Sequence, residues 1–211
     1  FECKTFDKSK EESNDKDKKY NKLRKESSIK KEILYVTAQE HAVPSSMLAM
    51  IKYIKAEKND YEQLITVNSG NIKESEERLK RYNLSDIQII TRDDEKYLKS
   101  LSEAEYIFSD CGLEYYFAAK NNQKYFNLQT DNISAKMTRK KERECFEFAT
   151  VQKSIITPKA SIYLTNESRL SFEKAYRCEM LPTSAIISDS PAFDMAGATN
   201  FASSTDKIKI L

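Results

Sequence analysis

The sequence predicts an α/β fold: a Rossmann-like, mostly parallel sheet flanked by helices on both faces. Short apolar runs rich in Ile, Tyr and Phe alternate about six times with longer segments of helical pattern. Such alternation is typical of parallel strands joined by crossover helices. The chain has 211 residues, 39% of them hydrophobic, which is enough for one domain of this kind with its own core.

The first half of the chain supplies four predicted strands and three helices. The run at 32–38 is a short apolar strand, and a helix is predicted over 44–58. Pro44 suits the first turn of that helix, and Met47, Ile51 and Ile54 recur at helical spacing. The remaining predicted strands are 61–68, 87–91 and 105–110, and the remaining helices are 74–83 and 93–104.

The second half continues the alternation. Strands are predicted at 124–130, 160–165 and 183–188, and helices at 113–121, 137–154 and 167–179. The sequence TNES, which starts at Thr165, has the pattern of a helix N-cap.

Residues 1–31 form a polar lead in which basic residues outnumber acidic ones. We expect a flexible tail or a solvated helix, and a weak attraction to an anionic membrane is the more specific alternative. The chain does not start with Met, so we expect it to be part of a longer protein.

Composition argues against several classes of protein: nucleic-acid-binding, membrane-spanning and secreted. A net charge of +2 is too small to indicate nucleic-acid binding, and no apolar run is long enough to span a bilayer. The lead lacks the apolar region of a signal peptide. The four cysteines have no CxxC spacing, so we expect reduced thiols in a cytoplasmic protein.

No cofactor or metal is expected from the motifs. The loop after the first strand has no glycine, which argues against a dinucleotide site or a P-loop. Asp189 and Asp194 form a carboxylate pair, but their spacing is not diagnostic of a metal site.

Candidate site residues follow the strand ends, because ligands of such sheets bind beyond the carboxyl ends of the strands. His41, the single histidine, follows the first strand. It is either a locally bonded loop residue or a proton donor or phosphate contact. Ser109 and Asp110 stand at the entry to the predicted helix at 113–121. They are expected to cap that helix, or its N-terminus could hold a phosphate.

Two more strand ends carry polar groups. After the fifth strand, Asp131 is the strongest base of a polar run and therefore a candidate catalytic residue, beside possible substrate contacts at Gln129, Thr130, Asn132 and Ser134. After the last strand, Ser188 and Asp194 are further candidates for substrate binding.

Three segments together resemble the CDP-glycerol glycerophosphotransferase family. They are YLKSLSEAEYIFSDCGLEYYFAAKNNQKYFNLQT (97–130), ASIYLTNESRLSFEKAYRCE (160–179) and ISDSPAFDM (187–195). The first two resemble family segments in which a strand ends in a polar turn, the third resembles the family's GYPRNDxL signature, and all three occur in the family's order. The final DKIKIL resembles the first strand of the family's second domain.

The resemblance implies the N-terminal, acceptor-side lobe of a two-lobed GT-B glycosyltransferase that makes teichoic acid or a surface polysaccharide. The expected organisation is a lead (1–31), a Rossmann-like domain (32–200), and a linker with the start of a second lobe (201–211). The second lobe would bind CDP-glycerol or another nucleotide-activated donor, and the acceptor would be a polyol phosphate or glycan. The expected location is the cytoplasm, at the inner face of the cell membrane.

The resemblance also has gaps. The family's catalytic histidine corresponds to Asn132, and an arginine of its PRND signature corresponds to Ala192, whereas Pro191 and Asp194 match. Asparagine cannot accept a proton at neutral pH, so an impaired transferase is one hypothesis and a non-catalytic binding or interaction domain another. A third, an unrelated Rossmann-like nucleotide binder, is disfavoured by the missing glycine loop.

Overall fold

A computed structural model describes residues 9–38, 42–57, 60–128, 145–180 and 184–189. Its centre is a seven-stranded sheet with the order β3-β2-β1-β4-β5-β6-β7, and each neighbouring pair is parallel. The strands are β1 (Lys30–Val36), β2 (Glu62–Thr66), β3 (Gln88–Ile90), β4 (Ala104–Ser109), β5 (Lys124–Leu128), β6 (Ala160–Tyr163) and β7 (Ala185–Ile187). The predicted α/β, Rossmann-like class is confirmed.

Helices cover both faces of this sheet. The side chains of strand β1 show most clearly how the buried residues are divided between the two faces. Its residues Ile33 and Tyr35 belong to one buried apolar cluster, whereas Leu34 and Val36 belong to another. Successive side chains of a strand point to opposite faces, so each cluster fills one side. The helices are α1 (Ser9–Glu26), α2 (Ser45–Glu57), α3 (Ile72–Arg81), α4 (Glu95–Glu103), α5 (Cys145–Ile156) and α6 (Asn166–Ala175).

The two clusters use different helices. Met47, Leu48 and Ile51 of α2 and Leu79 of α3 pack on the face that carries Tyr35. On the other face, α4 contributes Tyr97, Leu98 and Leu101, and α1 contributes Tyr20.

A third buried cluster lies toward the β6–β7 end of the sheet. It joins Tyr163 of β6 to Ile155 of α5 and to Phe172 of α6. Helix α6 begins as the TNES pattern predicts: the Thr165 side chain accepts from the Ser168 amide at 3.0 Å, and the Ser168 hydroxyl accepts from the Thr165 amide at 3.2 Å. This capping box satisfies amides at the helix start.

Helix α1 shows that part of the polar lead is packed. Most described α1 side chains are exposed or partly exposed, but Tyr20 is fully buried between the helix and the sheet domain. Its ring lies 5.4 Å from that of Tyr116 and 6.3 Å from that of Phe117, centroid to centroid.

The prediction of a helix over 113–121 is wrong. After β4 the chain runs in turns and irregular structure, and the next regular element is β5. Leu113 and Phe117 are buried in the same cluster as Tyr20. Backbone carbonyls of this stretch accept hydrogen bonds from side chains of α1 and α5 instead of from a helical turn. We call residues 113–120 the crossover segment.

Candidate functional site

Strands β1 and β4 form the point where the strand order reverses. From β1 the chain proceeds outward through β2 and β3, and from β4 it proceeds to the other side through β5, β6 and β7. In open α/β sheets, the crevice outside the carboxyl ends of two such strands is where ligands bind. Val36 and Ser109, the last residues of β1 and β4, pair with each other there.

Asp110 joins the two strand ends. Its backbone N–H donates to the Val36 carbonyl at 3.3 Å, and its carboxylate Oδ1 accepts from the Ala38 N–H at 2.8 Å. The side chain is therefore engaged in holding the loop after β1, and the residue is only 9% exposed.

Ser109 shapes the following turn. Its Oγ donates to the Cys111 carbonyl at 2.6 Å and accepts from the Cys111 N–H at 3.2 Å, and the residue is fully buried. Because no helix follows, the expectation that Ser109 and Asp110 cap one, or present its N-terminus to a phosphate, is wrong. Both residues nevertheless lie at the strand ends where the sequence placed them.

Arg92 brings a positive charge to the same place. It follows β3 closely, and its guanidinium Nη2 donates to the Thr37 carbonyl at 3.1 Å and to the Cys111 sulfur at 2.9 Å. The Arg92 side chain therefore reaches from the end of β3 to the ends of β1 and β4. Arg92 was not among the residues predicted from the sequence, although its position immediately after a strand was a usable signal.

Glu114 pairs with the guanidinium and is itself held by Tyr97. Glu114 Oε1 lies 3.6 Å from Arg92 Nη1, and the Tyr97 hydroxyl donates to Glu114 Oε2. Burial raises the pKa of Tyr97 well above its ordinary value, so the hydroxyl stays neutral and remains a donor. We call Arg92, Thr37, Tyr97, Cys111 and Glu114 the Arg92 cluster.

The Arg92 cluster leaves donors of the guanidinium under-used. The Nη1–Glu114 distance of 3.6 Å is an ion pair longer than a hydrogen bond, and Arg92 Nε is buried without a hydrogen-bond partner among the described residues. The Arg92 side chain keeps 20% of its area exposed. An anionic group with acceptor oxygens matches the exposed part of this guanidinium, where Nη1 makes no short hydrogen bond.

Cys111 is not an activated nucleophile. Burial, with a smaller contribution from the charge of Asp110, raises its pKa to about 11, although Arg92 and the contact between the Ser109 hydroxyl and the Cys111 sulfur act in the opposite direction. The thiol is therefore protonated at neutral pH, and only the thiolate attacks an electrophile.

The rate of Cys111 alkylation should follow this ionisation. We expect slow reaction with iodoacetamide at pH 7 and a rise toward a midpoint near pH 11, because the reactive thiolate forms only there. Mass spectrometry of the Cys111 peptide measures the rate across pH. A midpoint below the ordinary thiol pKa would contradict this description of the site.

The other predicted site residues divide into two groups. Ser188 is exposed, and its amide donates to the Tyr163 carbonyl at 2.9 Å, which places it just beyond the β7 end beside β6. The rest lie outside the described residues: His41, Gln129, Thr130, Asp131, Asn132, Ser134 and Asp194. Gln129 directly follows Leu128, the last residue of β5.

A cavity of about 700 Å³ lies at the opposite end of the strands, beside their amino ends. Residues from the amino ends of β1 and β2, including Lys30, Glu32 and Glu62, line it together with residues of α1 and α4. Several of its charges already pair with each other, such as Lys96 with Glu62 at 3.2 Å. We place the candidate site at the carboxyl edge because ligands of this fold bind there.

Within the described ranges, no group of three or more His, Cys, Asp or Glu side chains is arranged to hold a metal ion. The same part of the chain contains no helix with the length and apolar character needed to cross a bilayer.

A sequence model of the family described as CDP-glycerol:poly(glycerophosphate) glycerophosphotransferase matches residues 19–194. No curated protein matches the chain in sequence.

Solved structures of the wall teichoic acid polymerase TagF share the fold. One covers 89% of this chain at a TM-score of 0.59 and 13% identity. A histidine-to-alanine variant gives a TM-score of 0.60 at 14% identity and the same coverage. A histidine-to-asparagine variant soaked with CDPG covers 83% at 0.58 and 13% identity. The chain spans 46%, 46% and 44% of these structures, respectively.

Proposed function

Because the chain belongs to the CDP-glycerol:poly(glycerophosphate) glycerophosphotransferase family, we propose that it is the acceptor-side lobe of a two-lobed GT-B transferase. In this proposal the enzyme builds teichoic acid or a related surface polysaccharide. A second lobe supplies the site for CDP-glycerol or another nucleotide-activated donor. The acceptor is a polyol phosphate or a glycan, and the protein works in the cytoplasm at the inner face of the membrane.

The proposed reaction is the displacement of CMP. A hydroxyl oxygen of the acceptor forms a bond to the glycerol-bearing phosphorus of the donor, and the bond from that phosphorus to the CMP oxygen breaks. CMP leaves with the electron pair, and the hydroxyl proton passes to a base. Both the donor and a glycerophosphate acceptor bring phosphates that need positive charge to bind.

The position of Arg92 is the observation that supports this proposal most. Its guanidinium stands at the ends of β1 and β4, its side chain keeps 20% of its area exposed, and Nη1 is engaged only by an ion pair of 3.6 Å. Arginine binds phosphate through parallel N–H···O bonds. In the proposal, Arg92 contacts a phosphate of the acceptor and orients its terminal hydroxyl toward the donor lobe.

The proton acceptor of the proposed reaction follows from the resemblance alone. In the proposal, Asn132 stands where the family has its catalytic histidine, and an amide cannot take the proton. Asp131 and His41 are the remaining candidates for proton acceptor, with Gln129, Thr130 and Ser134 as polar neighbours in sequence. We therefore propose slow transfer.

A non-catalytic binding domain is the second candidate function. The sequence favours it at two positions, because the family's histidine and the arginine of its PRND signature correspond to Asn132 and Ala192. Such a domain would keep an anion site at Arg92 and bind the polymer or a protein partner without transfer.

Release of CMP separates the two functions. The intact two-lobed protein is incubated with CDP-glycerol labelled in the cytidine, with and without a glycerophosphate-primed lipid. Transfer predicts slow release of labelled CMP that requires the lipid. Binding of the lipid without any CMP release would establish the non-catalytic function, and failure to bind CDP-glycerol would refute the transferase.

A further inference from the structure

The crossover segment is held from outside by helix α1. The Tyr20 hydroxyl donates to the Ala118 carbonyl at 3.1 Å, and Arg24 Nε donates to the same carbonyl at 2.8 Å. Arg24 Nη2 also reaches the Ala119 carbonyl at 3.3 Å. From the other direction, Lys120 Nζ donates to the Ser27 carbonyl at 2.7 Å, just after α1 ends.

The same segment carries the carboxylate that faces Arg92. Glu114 lies four residues before Ala118, and its carbonyl accepts from the Phe117 N–H at 2.9 Å, which makes this stretch a compact turn. The rings of Tyr116 and Phe117 pack against Tyr20. A movement of α1 is therefore transmitted to Glu114 through a short, bonded stretch of chain.

We propose that α1 is a positioning element for the ligand-binding edge of the sheet: it fixes the crossover segment, and through Glu114 it fixes the Arg92 guanidinium. Arg24 and Tyr20 are its positioning residues. The role of that edge in ligand binding rests on the proposed function. The series of contacts that leads from α1 through the crossover segment and Glu114 to Arg92 does not. Residues of a polar lead thereby determine the geometry of a site formed by strand ends.

Helix α5 provides a second anchor and sets the size of the expected effect. Lys153 Nζ donates to the Phe117 carbonyl at 2.7 Å and also reaches the Tyr115 carbonyl. With this anchor intact, loss of the Arg24 bonds loosens the crossover segment without releasing it. The expected consequence is a local opening around Cys111.

Cys111 reports on this opening, because its sulfur accepts a hydrogen bond from Arg92 and is partly buried. Cys178 is an internal reference: it is fully buried in the separate cluster around Tyr163. Iodoacetamide alkylation of the whole chain, resolved by peptide mass spectrometry, measures both thiols in one sample. No catalytic turnover is needed, so this test and the CMP-release test fail independently.

Arg24→Ala should accelerate alkylation of Cys111 about tenfold, as expected for loss of hydrogen bonds from a charged group. Cys178 should be unaffected. The apparent pKa of Cys111 should fall from about 11, because burial is the largest influence that raises it and opening admits water. Lys25→Ala, one residue along the helix at an exposed position, is the matched control and should change neither thiol.

Tyr20→Phe removes the hydroxyl bonds and keeps the ring, so it tests the same connection if Arg24→Ala does not fold. Selective acceleration at Cys111 in either variant supports the proposal. Equal acceleration at Cys111 and Cys178 would show general destabilisation and overturn it. Unchanged Cys111 reactivity and pKa in folded Arg24→Ala and Tyr20→Phe proteins would also overturn it.

Discussion

Replacing Tyr20 by alanine is expected to lower the free energy of unfolding by about 3–5 kcal/mol, the usual cost of deleting a buried aromatic ring. Tyr20 is fully buried, packs against Tyr116 and Phe117, and bonds the Ala118 carbonyl. The substitution therefore leaves a cavity and removes a donor together. Urea unfolding followed by circular dichroism measures the change.

Two further substitutions define what the Tyr20 result means. Tyr20→Phe should cost only about 1 kcal/mol, since it removes a hydrogen bond and keeps the packing. Tyr53, on α2, is 68% exposed, so Tyr53→Ala should change stability by less than about 0.5 kcal/mol. If Tyr20→Ala costs no more than Tyr53→Ala, α1 does not belong to the folded core.

Introducing a histidine at position 132 is expected to have the largest effect on activity. If Asn132 occupies the place of the family's base, Asn132→His should raise the rate of CMP release by the roughly 10²–10⁴-fold that a positioned general base provides. The gained rate should be lost as the pH falls through about 6.5, because the protonated imidazole cannot accept a proton. The measurement uses the intact two-lobed protein with labelled CDP-glycerol and acceptor.

Asn122→His provides the matched control, because Asn122 is exposed in the turn before β5 and is not a candidate site residue. It should leave the rate unchanged. An Asn132→His protein that binds CDP-glycerol but releases CMP no faster than the parent would show that position 132 is not the place of the missing base.

Much of the fold was predictable because it depends on local pattern. Each described strand overlaps an apolar run, and residues such as Met47 and Ile51 recur with the helical period because one face of α2 is buried. Parallel strands with helices on both faces follow from that alternation. The strand order and the reversal at β1 and β4 needed the structure.

The crossover segment was mispredicted for a physical reason. Its composition suits a helix, but the carbonyls of Phe117 and Ala118 are bonded by Lys153, Tyr20 and Arg24, which are distant in sequence. Tertiary contacts of this kind override local propensity. No pattern within residues 113–120 predicts that side chains of α1 and α5 donate hydrogen bonds to this segment.

The candidate site was only partly predictable for the same reason. Ser109 and Asp110 were identified because they directly follow a strand. Arg92 follows another strand, but its importance depends on reaching Thr37 and Cys111 across the sheet. That convergence depends on the order of the strands and is invisible in a linear sequence.

Titration of a glycerol phosphate oligomer into the 15N-labelled chain, followed by NMR, tests most directly whether the carboxyl edge at Arg92 is the acceptor site. We predict shifts at the amides of Ala38, Asp110 and Cys111, beside the guanidinium. Arg92→Lys keeps the charge but loses the planar fork, and should weaken binding about tenfold. Arg81→Lys, at an exposed position of α3, should leave the affinity unchanged. Shifts confined to Lys22, Glu32 and Lys99 around the opposite cavity, or equal affinity with Arg92→Lys, would contradict the account.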